Sequence, residues 1–122
     1  MSELFVIRLA EPRDVPDIMK IEKAQFPEPW TSSMMMSEIA MTDTRRYSVA
    51  MEGERLVGYL GLMYVLEDEM HVNTIGVVPG CERRGIASAL LDDGWADAKR
   101  RGVKRATLEV AVSNVGAQSL YR

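Results

Sequence analysis

The sequence predicts a mixed α/β fold, in which a mostly antiparallel sheet is flanked by helices. Short apolar runs are separated by tight-turn signals, Glu-Gly-Glu at residues 52–54 and Glu-Asp-Glu at residues 67–69, which predict antiparallel hairpins. Further along, an apolar strand, a short loop, a long amphipathic helix and another strand form a β-α-β unit, which should be parallel and right-handed. Hairpins followed by such a unit predict one sheet that contains both kinds of strand pairing.

The first part of the chain is predicted to hold one strand and two helices. Residues 5–9 have the apolar pattern of a strand. Asp14 is expected to cap a helix that carries Pro16 in its first turn, and the Phe-Pro-Glu-Pro-Trp segment at residues 26–30 should end that helix. Thr31 is expected to cap a second, short helix. The side chains expected to face inward from the two helices are Val15, Ile18, Ile21, Met34, Met35 and Ile39.

The remainder is predicted to supply most of the sheet, the long helix and a final helix. Strands are expected at residues 46–51, 56–65, 70–78 and 106–112. The long helix should run from about Gly85 to Arg101 and stop at Gly102, although Gly94 inside it is unfavourable by about 1 kcal/mol relative to alanine. Its buried stripe is predicted to comprise Ala87, Leu90, Leu91, Trp95 and Ala98. A last helix should begin at Ser113 or Asn114.

Length and composition limit the class of protein. A chain of 122 residues suits one domain with its own core, and its 47% apolar and 27% charged residues fit a soluble globular protein. The apolar runs are too short to span a bilayer, so no membrane partner is expected. The net charge of −3 argues against direct nucleic-acid binding. Cys81 is the only cysteine, which excludes an internal disulfide and fits a reducing cytoplasm.

The segment between the strand at residues 74–78 and the long helix has the features of a phosphate site. A Pro-Gly turn and a short loop lead directly into the helix, whose first backbone N–H groups should lack partners and point outward. Arg83 and Arg84 add positive charge there, and Gly85 has no Cβ to keep a phosphate away. The segment matches neither the P-loop motif nor the Gly-x-Gly-x-x-Gly dinucleotide motif.

The sequence Glu-Arg-Arg-Gly-Ile-Ala at residues 82–87 resembles the acyl-CoA loop, Gln/Arg-x-x-Gly-x-Gly/Ala, of the GCN5-related N-acetyltransferase (GNAT) family. Glu82 departs from this pattern. Three more segments resemble the RimI-type branch of that family, which acetylates the N-terminal alanine of a ribosomal protein. They are Phe-Pro-Glu-Pro-Trp-Thr at residues 26–31, Val-Asn-Thr-Ile-Gly-Val at residues 72–77, and Leu-Glu-Val-Ala-Val-Ser-Asn at residues 108–114 with the Leu-Tyr pair at 120–121.

The resemblance implies an acyl-CoA N-acyltransferase fold and acetyl-CoA as cosubstrate. It implies that Glu109 is the general base that deprotonates the acceptor amine, and that Tyr121 protonates the departing thiolate. From the residues alone, Glu109 is equally compatible with a solvent-facing strand carboxylate, Tyr121 with a helix aromatic packed on the sheet, and Asn114 with a simple helix cap. The cofactor-binding residues implied by the resemblance are Ile75, Gly76, Val77, Arg83, Arg84, Gly85, Ile86, Ala87, Ser88 and Asn114, and no metal site is expected.

The main functional expectation is transfer of an acetyl group from acetyl-CoA to the N-terminal α-amine of a protein, with a ribosomal protein among the expected acceptors. Two alternatives remain at this point: acetylation of a small-molecule amine, and a non-catalytic CoA-binding module. The family ordinarily continues with two more strands, whereas this sequence stops within its last predicted helix at Arg122. We therefore expect a truncated domain, or an oligomer in which another chain supplies the missing strands.

Overall fold

The computed structural model describes residues 5–65 and 68–108 of the 122-residue chain. It contains five strands and three helices in these ranges, together with a single 3-10 turn at Pro12–Asp14. The strands are β1 (Val6–Leu9), β2 (Arg45–Glu52), β3 (Arg55–Val65), β4 (Glu69–Val77) and β5 (Arg105–Leu108). The helices are α1 (Val15–Gln25), α2 (Ser32–Ala40) and α3 (Ile86–Arg100). No helix within the described ranges is long and apolar enough to cross a membrane.

The strands form one sheet in the order β1-β2-β3-β4-β5, which confirms the predicted mixed sheet. The first four strands pair antiparallel with their neighbours, and β5 pairs parallel to β4 after the α3 crossover. The Glu-Gly-Glu signal forms the expected tight hairpin, since Glu52 pairs with Arg55 and Gly53 adopts a φ of +63°. Such two-residue turns require left-handed backbone, which glycine adopts without steric cost.

Apolar side chains on both faces of the sheet build two cores. On one face, α3 covers Leu60, Leu62 and Ile75, while on the other face α1 and α2 cover Val49 and Tyr59. The first core also explains Gly94, because a Cβ at this position would lie 2.9 Å from Leu62 Cδ1 and 3.1 Å from Leu60 Cδ2. The glycine therefore allows α3 to approach β3 closely, which offsets its poor helix propensity.

Helix ends and helix faces follow the sequence prediction with two exceptions. Thr31 caps α2 as predicted, because its Oγ1 accepts a hydrogen bond of 3.1 Å from the Met34 N–H. Asp14 does not cap α1; its carboxylate instead accepts hydrogen bonds from the Glu11 N–H at 2.7 Å and from both terminal nitrogens of Arg8. The prediction that Met34 faces inward is also wrong. It is 48% exposed, because Met35 takes the inward direction and one residue turns a helix by about 100°.

The long helix and the strand after it agree with the sequence as far as they are described. Leu90 and Ala98 of the predicted stripe are buried, and the other three members pack partly buried against the same core. The helix stops before Gly102, which has a φ of +89°. The described part of the fifth strand is Arg105–Leu108. The rest of that predicted strand and the final helix lie outside the described residues.

Candidate active site

A sharp turn ends β4 and starts the loop to α3. Pro79 and Gly80 occupy its centre, the Cys81 N–H donates to the Val78 carbonyl at 2.9 Å, and Gly80 has a φ of +94°. A proline followed by a left-handed glycine is the pattern of a type II turn. The Glu82 carboxylate folds back onto this turn and accepts a 2.8 Å hydrogen bond from the Gly80 N–H. Glu82, the residue that departs from the acyl-CoA pattern, is therefore hydrogen-bonded within the turn.

The first turn of α3 presents free backbone donors. Its first intrahelical bond runs from the Ala89 N–H to the Gly85 carbonyl at 3.0 Å, so the amides of Ile86, Ala87 and Ser88 have no partner within the helix. No described side chain caps this end. Gly85 has a φ of +82°, and a Cβ built on it would meet no atom of the described residues within 4 Å. The space in front of the helix is therefore open, and the helix dipole makes it favourable for an anion.

The two arginines of the loop lie in different environments. Arg84 forms an ion pair with Glu52 at the end of β2, and its Nη1 lies 4.0 Å from the Cys81 sulfur. This hydrogen-bonded guanidinium lowers the pKa of the Glu52 carboxyl. Arg83 forms no ion pair with the described part of the chain and has a φ of +67°. Left-handed backbone is unfavourable for a side chain with a Cβ, so the loop stores strain of about 1 kcal/mol or more at Arg83.

Near the loop, every second residue of β4 turns its backbone N–H and C=O groups away from β3. The Val78 N–H donates to the Val57 carbonyl at 2.9 Å, and the alternation of antiparallel bonds then directs the polar groups of Val77 and Ile75 away from β3. By the same alternation, Gly76 bonds within the ladder to Tyr59. The structure gives Gly76 another role, because a Cβ there would lie 2.7 Å from both the Ile21 and the Tyr59 side chains.

Gln25, the last residue of α1, reaches the edge of β4 that faces away from β3. Its Nε2 donates to the Val77 carbonyl at 2.8 Å, while its Oε1 is buried without a hydrogen-bond partner in the described structure. A neutral hydrogen bond of this kind stabilises by roughly 1 kcal/mol. A ligand amide that pairs with the same carbonyl must therefore share it with Gln25 or displace Gln25.

A small pocket opens on the α1 and α2 side of β4. Its volume is about 240 Å³, and the residues that line it are Glu22, Phe26, Pro27, Glu28, Trp30, Asn73 and Thr74. The pocket lies where the described pairing of β4 with β5 ends, since Val72 opposite Leu108 is the last pair. Asn73 is the extra residue of a β-bulge, because the register with β3 passes from Gly61–Thr74 to Leu62–Val72.

Glu22 provides a buried carboxylate at this pocket, with only 2% of its surface exposed. Its Oε1 accepts hydrogen bonds from the hydroxyl groups of Tyr59 and Thr74, and its Oε2 accepts one of 3.1 Å from the Trp30 N–H. Burial, together with the negative charge of Glu22, raises the pKa of the Tyr59 phenol above its ordinary value. The phenol therefore remains protonated and donates its hydrogen to the carboxylate.

Sequence reasoning missed Glu22, Gln25 and Asn73. Glu22 had a detectable signal, because it lies four positions after Ile18 and so on the apolar face of α1. A charged residue on such a face needs buried hydrogen-bond partners. Gln25 and Asn73 had no comparable signal. The predicted residues Glu109, Asn114 and Tyr121 lie outside the described residues, and their roles remain predictions.

Comparison with known proteins defines the family to which this chain belongs. The sequence profile of the Acetyltransferase (GNAT) family matches residues 15–122, so the chain belongs to this family. The N-alpha-acetyltransferase RimI of Mycobacterium tuberculosis is 37% identical over 98 residues, which are 78% of this chain and 60% of the relative. The [ribosomal protein bS18]-alanine N-acetyltransferase of Escherichia coli K12 is 28% identical over 111 residues, 91% of this chain and 73% of the relative.

Solved structures agree with the sequence comparison. The crystal structure of the ribosomal-protein-S18-alanine N-acetyltransferase from Escherichia coli matches with a TM-score of 0.82 and 26% identity, over 96% of this chain and 74% of that one. The sheet and helices described above therefore form the acyl-CoA N-acyltransferase fold, as predicted. The chain is an acetyl-CoA-dependent N-acetyltransferase.

The residues present fit acetyl-CoA. The backbone donors at the start of α3 suit its pyrophosphate, as does Arg83, which forms no ion pair with the described residues. The edge of β4 that faces away from β3 suits its amide-containing pantetheine arm. When bound, acetyl-CoA supplies an acetyl thioester, whose carbonyl accepts an amine and whose thiolate leaves. The protein's part is to hold this group at β4, to bring the acceptor amine beside it, and to remove the amine's proton.

Proposed function

We propose that this enzyme acetylates the N-terminal α-amine of a protein, as the RimI relatives are named for doing, and that alanine of a ribosomal bS18-type protein is its leading acceptor candidate. The observation that supports this proposal best is the position of the 240 Å³ pocket. It adjoins the β4 bulge, where the described pairing of β4 with β5 ends. Beyond this point β4 has an edge that faces away from β3. An acceptor in the pocket would reach β4 from the face opposite α3.

The size and charge of the pocket suit a chain terminus. A volume of about 240 Å³ is below the range of typical small-molecule sites. Two carboxylates line it, the buried Glu22 and the exposed Glu28. An α-amino group has a pKa near 8 in water and arrives mostly as a cation at neutral pH, so negative charge at the pocket favours its entry.

We assign the proton-transfer steps to the residues that the family resemblance implies. Glu109 directly follows Leu108, which pairs with Val72 next to the pocket residue Asn73. In this proposal Glu109 accepts the proton of the α-ammonium, directly or through water, and Tyr121 gives a proton to the leaving thiolate. The Val77 N–H, on the edge of β4 that faces away from β3, polarises the thioester carbonyl in this proposal.

We likewise assign cofactor binding to the loop and strand residues. The amides of residues 85–88 and the Arg83 guanidinium hold the pyrophosphate, and Arg84 contributes through its backbone and, when released by Glu52, through its side chain. Asn114 is proposed as a further cofactor contact.

Mass spectrometry tests the acceptor class directly. Peptides that begin with alanine, serine or methionine are incubated with enzyme and acetyl-CoA, and N-terminally blocked copies with one internal lysine serve as controls. The expected result is a gain of one acetyl group on free α-amines, fastest for alanine, and none on the blocked copies. Spermidine and an aminoglycoside run in parallel. Acetylation of these amines without any acetylation of peptides would overturn the proposal.

A further inference from the structure

We infer that Glu22 is a positioning residue for the acceptor: its carboxylate fixes the segment at residues 26–30 against β4 and so sets the width of the acceptor pocket. The inference rests on the proposed function, because it takes the pocket to be the acceptor's binding place. Glu22 acts through the loop it holds.

The contacts of Glu22 join the two walls of the pocket. One oxygen accepts a hydrogen bond of 3.1 Å from the backbone N–H of Trp30, which belongs to the wall formed by the loop at residues 26–30. The other oxygen accepts hydrogen bonds from two hydroxyl groups. One belongs to Thr74 in the β4 wall, and the other belongs to Tyr59 of β3, which lies behind that wall. Among the described residues, Glu22 is the single side chain that bonds to both walls.

A carboxylate is the side chain that this geometry requires. All three partners approach as donors, and an ionised carboxylate accepts hydrogen bonds at both of its oxygens. A glutamine of the same size offers one oxygen and one NH₂ group, so it would present a donor to either the Trp30 N–H or the two hydroxyl groups. A glutamine oxygen at Trp30 leaves the two hydroxyl groups without their acceptor, so that they must turn to accept from the NH₂ group, and a glutamine oxygen at the hydroxyl groups leaves the Trp30 N–H without its acceptor.

The same contacts separate Glu22 from the cofactor side. The loop at residues 79–85 and the start of α3 lie beyond the other end of β4, and α3 packs on the opposite face of the sheet. Glu22 bonds to none of these residues. Its loss should therefore affect binding of the acceptor and leave binding of CoA almost unchanged.

Glu38 of α2 provides a matched control on the same face of the sheet. Its Oε1 accepts hydrogen bonds from the Tyr47 hydroxyl at 2.8 Å and from Arg45 Nε at 2.9 Å, so it also joins a helix carboxylate to sheet side chains. It does not line the pocket. E38Q should therefore reproduce the general cost of removing a partly buried carboxylate without removing a hydrogen bond to the Trp30 N–H or to Thr74.

The experiment compares wild type, E22Q and E38Q in the full chain. For E22Q, the KM for an alanine-starting peptide should rise about threefold to tenfold, the size expected for the net loss of one typical hydrogen bond. Its kcat and its Kd for CoA, measured by calorimetry, should stay within about twofold of wild type, a change too small to correspond to a lost hydrogen bond. Y59F, which keeps the Trp30 contact, should raise the KM less. A KM for E22Q equal to that of E38Q, or a parallel loss of CoA affinity, would overturn the inference.

Hydrogen exchange separates failure of the inference from failure of the proposed function. In the absence of any substrate, the Trp30 amide should exchange faster in E22M than in wild type or in the control E38M, because only E22M lacks an oxygen acceptor for it. If wild type does not acetylate peptides, the proposed function fails while this result still tests the role of Glu22. Equal protection of Trp30 in all three proteins would refute that role whatever the substrate proves to be.

Discussion

Arg84, two residues before α3, is paired with Glu52, the last residue of β2, 32 positions earlier in the chain. The pair connects the hairpin turn to the loop that we propose as the pyrophosphate site. It also places a carboxylate next to this proposed anion site. A pyrophosphate bound there would compete with Glu52 for the same guanidinium.

We predict that E52Q binds CoA about twofold to tenfold more tightly than wild type at low ionic strength, because it frees Arg84 and removes a like charge near the phosphates. Calorimetry at two salt concentrations measures this, and the gain should shrink at high salt because exposed charges are screened. E54Q, on the same turn without a described contact to Arg84, controls for the change in net charge. Weaker binding by E52Q would mean that Glu52 instead orients Arg84 for the ligand.

A second prediction concerns Gln25 and the Val77 carbonyl. Q25M keeps nearly the same volume but removes both the donor to that carbonyl and the buried, unpartnered oxygen. We expect CoA to bind about twofold to tenfold more tightly, because its amide no longer competes with a hydrogen bond worth roughly 1 kcal/mol. Calorimetry gives the affinity and thermal unfolding gives the stability, which should be unchanged or higher. A loss of affinity would show that Gln25 supports the bound ligand.

A third prediction follows from Asp14 and Arg8. Burial of Asp14 opposes its ionisation, but hydrogen bonds from Arg8 and the Glu11 N–H outweigh burial and lower the pKa of its carboxyl. The folded state therefore favours the ionised form, so its contribution to stability is complete above the unfolded pKa of about 3.9 and disappears as the pH falls through the lower folded value.

D14N should accordingly cost about 1–3 kcal/mol of unfolding free energy at pH 7, the value expected for hydrogen bonds to a charged group. The difference from wild type should diminish as the pH falls below about 4. Urea unfolding at a series of pH values measures both effects. D17N, which removes an exposed carboxylate of the adjacent helix α1, should change stability little at any pH. A D14N penalty that stays constant down to pH 2.5 would contradict this account.

Local features of the sequence predicted much of the fold, whereas the missed residues of the candidate site depend on distant contacts. Thr31 and the Glu-Gly-Glu turn act through neighbours within three residues, so their identity alone determined the local structure. Met34 was misplaced because three apolar residues in a row leave the direction of the helix face undetermined. Glu22 depends on Tyr59, 37 positions away, so its role became visible only in the folded chain. The loop donors were predictable because a helix start exposes them in every context.

The last prediction concerns Gly94, where helix propensity and packing oppose each other. Propensity alone would make G94A more stable by about 1 kcal/mol. A Cβ would however lie 2.9 Å from Leu62 and 3.1 Å from Leu60, both fully buried in a packed core. Overpacking of this kind costs about 1–3 kcal/mol, so we expect G94A to be destabilised by up to about 2 kcal/mol in urea unfolding. The control A96G, at an exposed position of the same helix, should lose about 1 kcal/mol through propensity. If G94A were instead stabilised, α3 would have room to move away from β3, and the close approach at Gly94 would not be required by the fold.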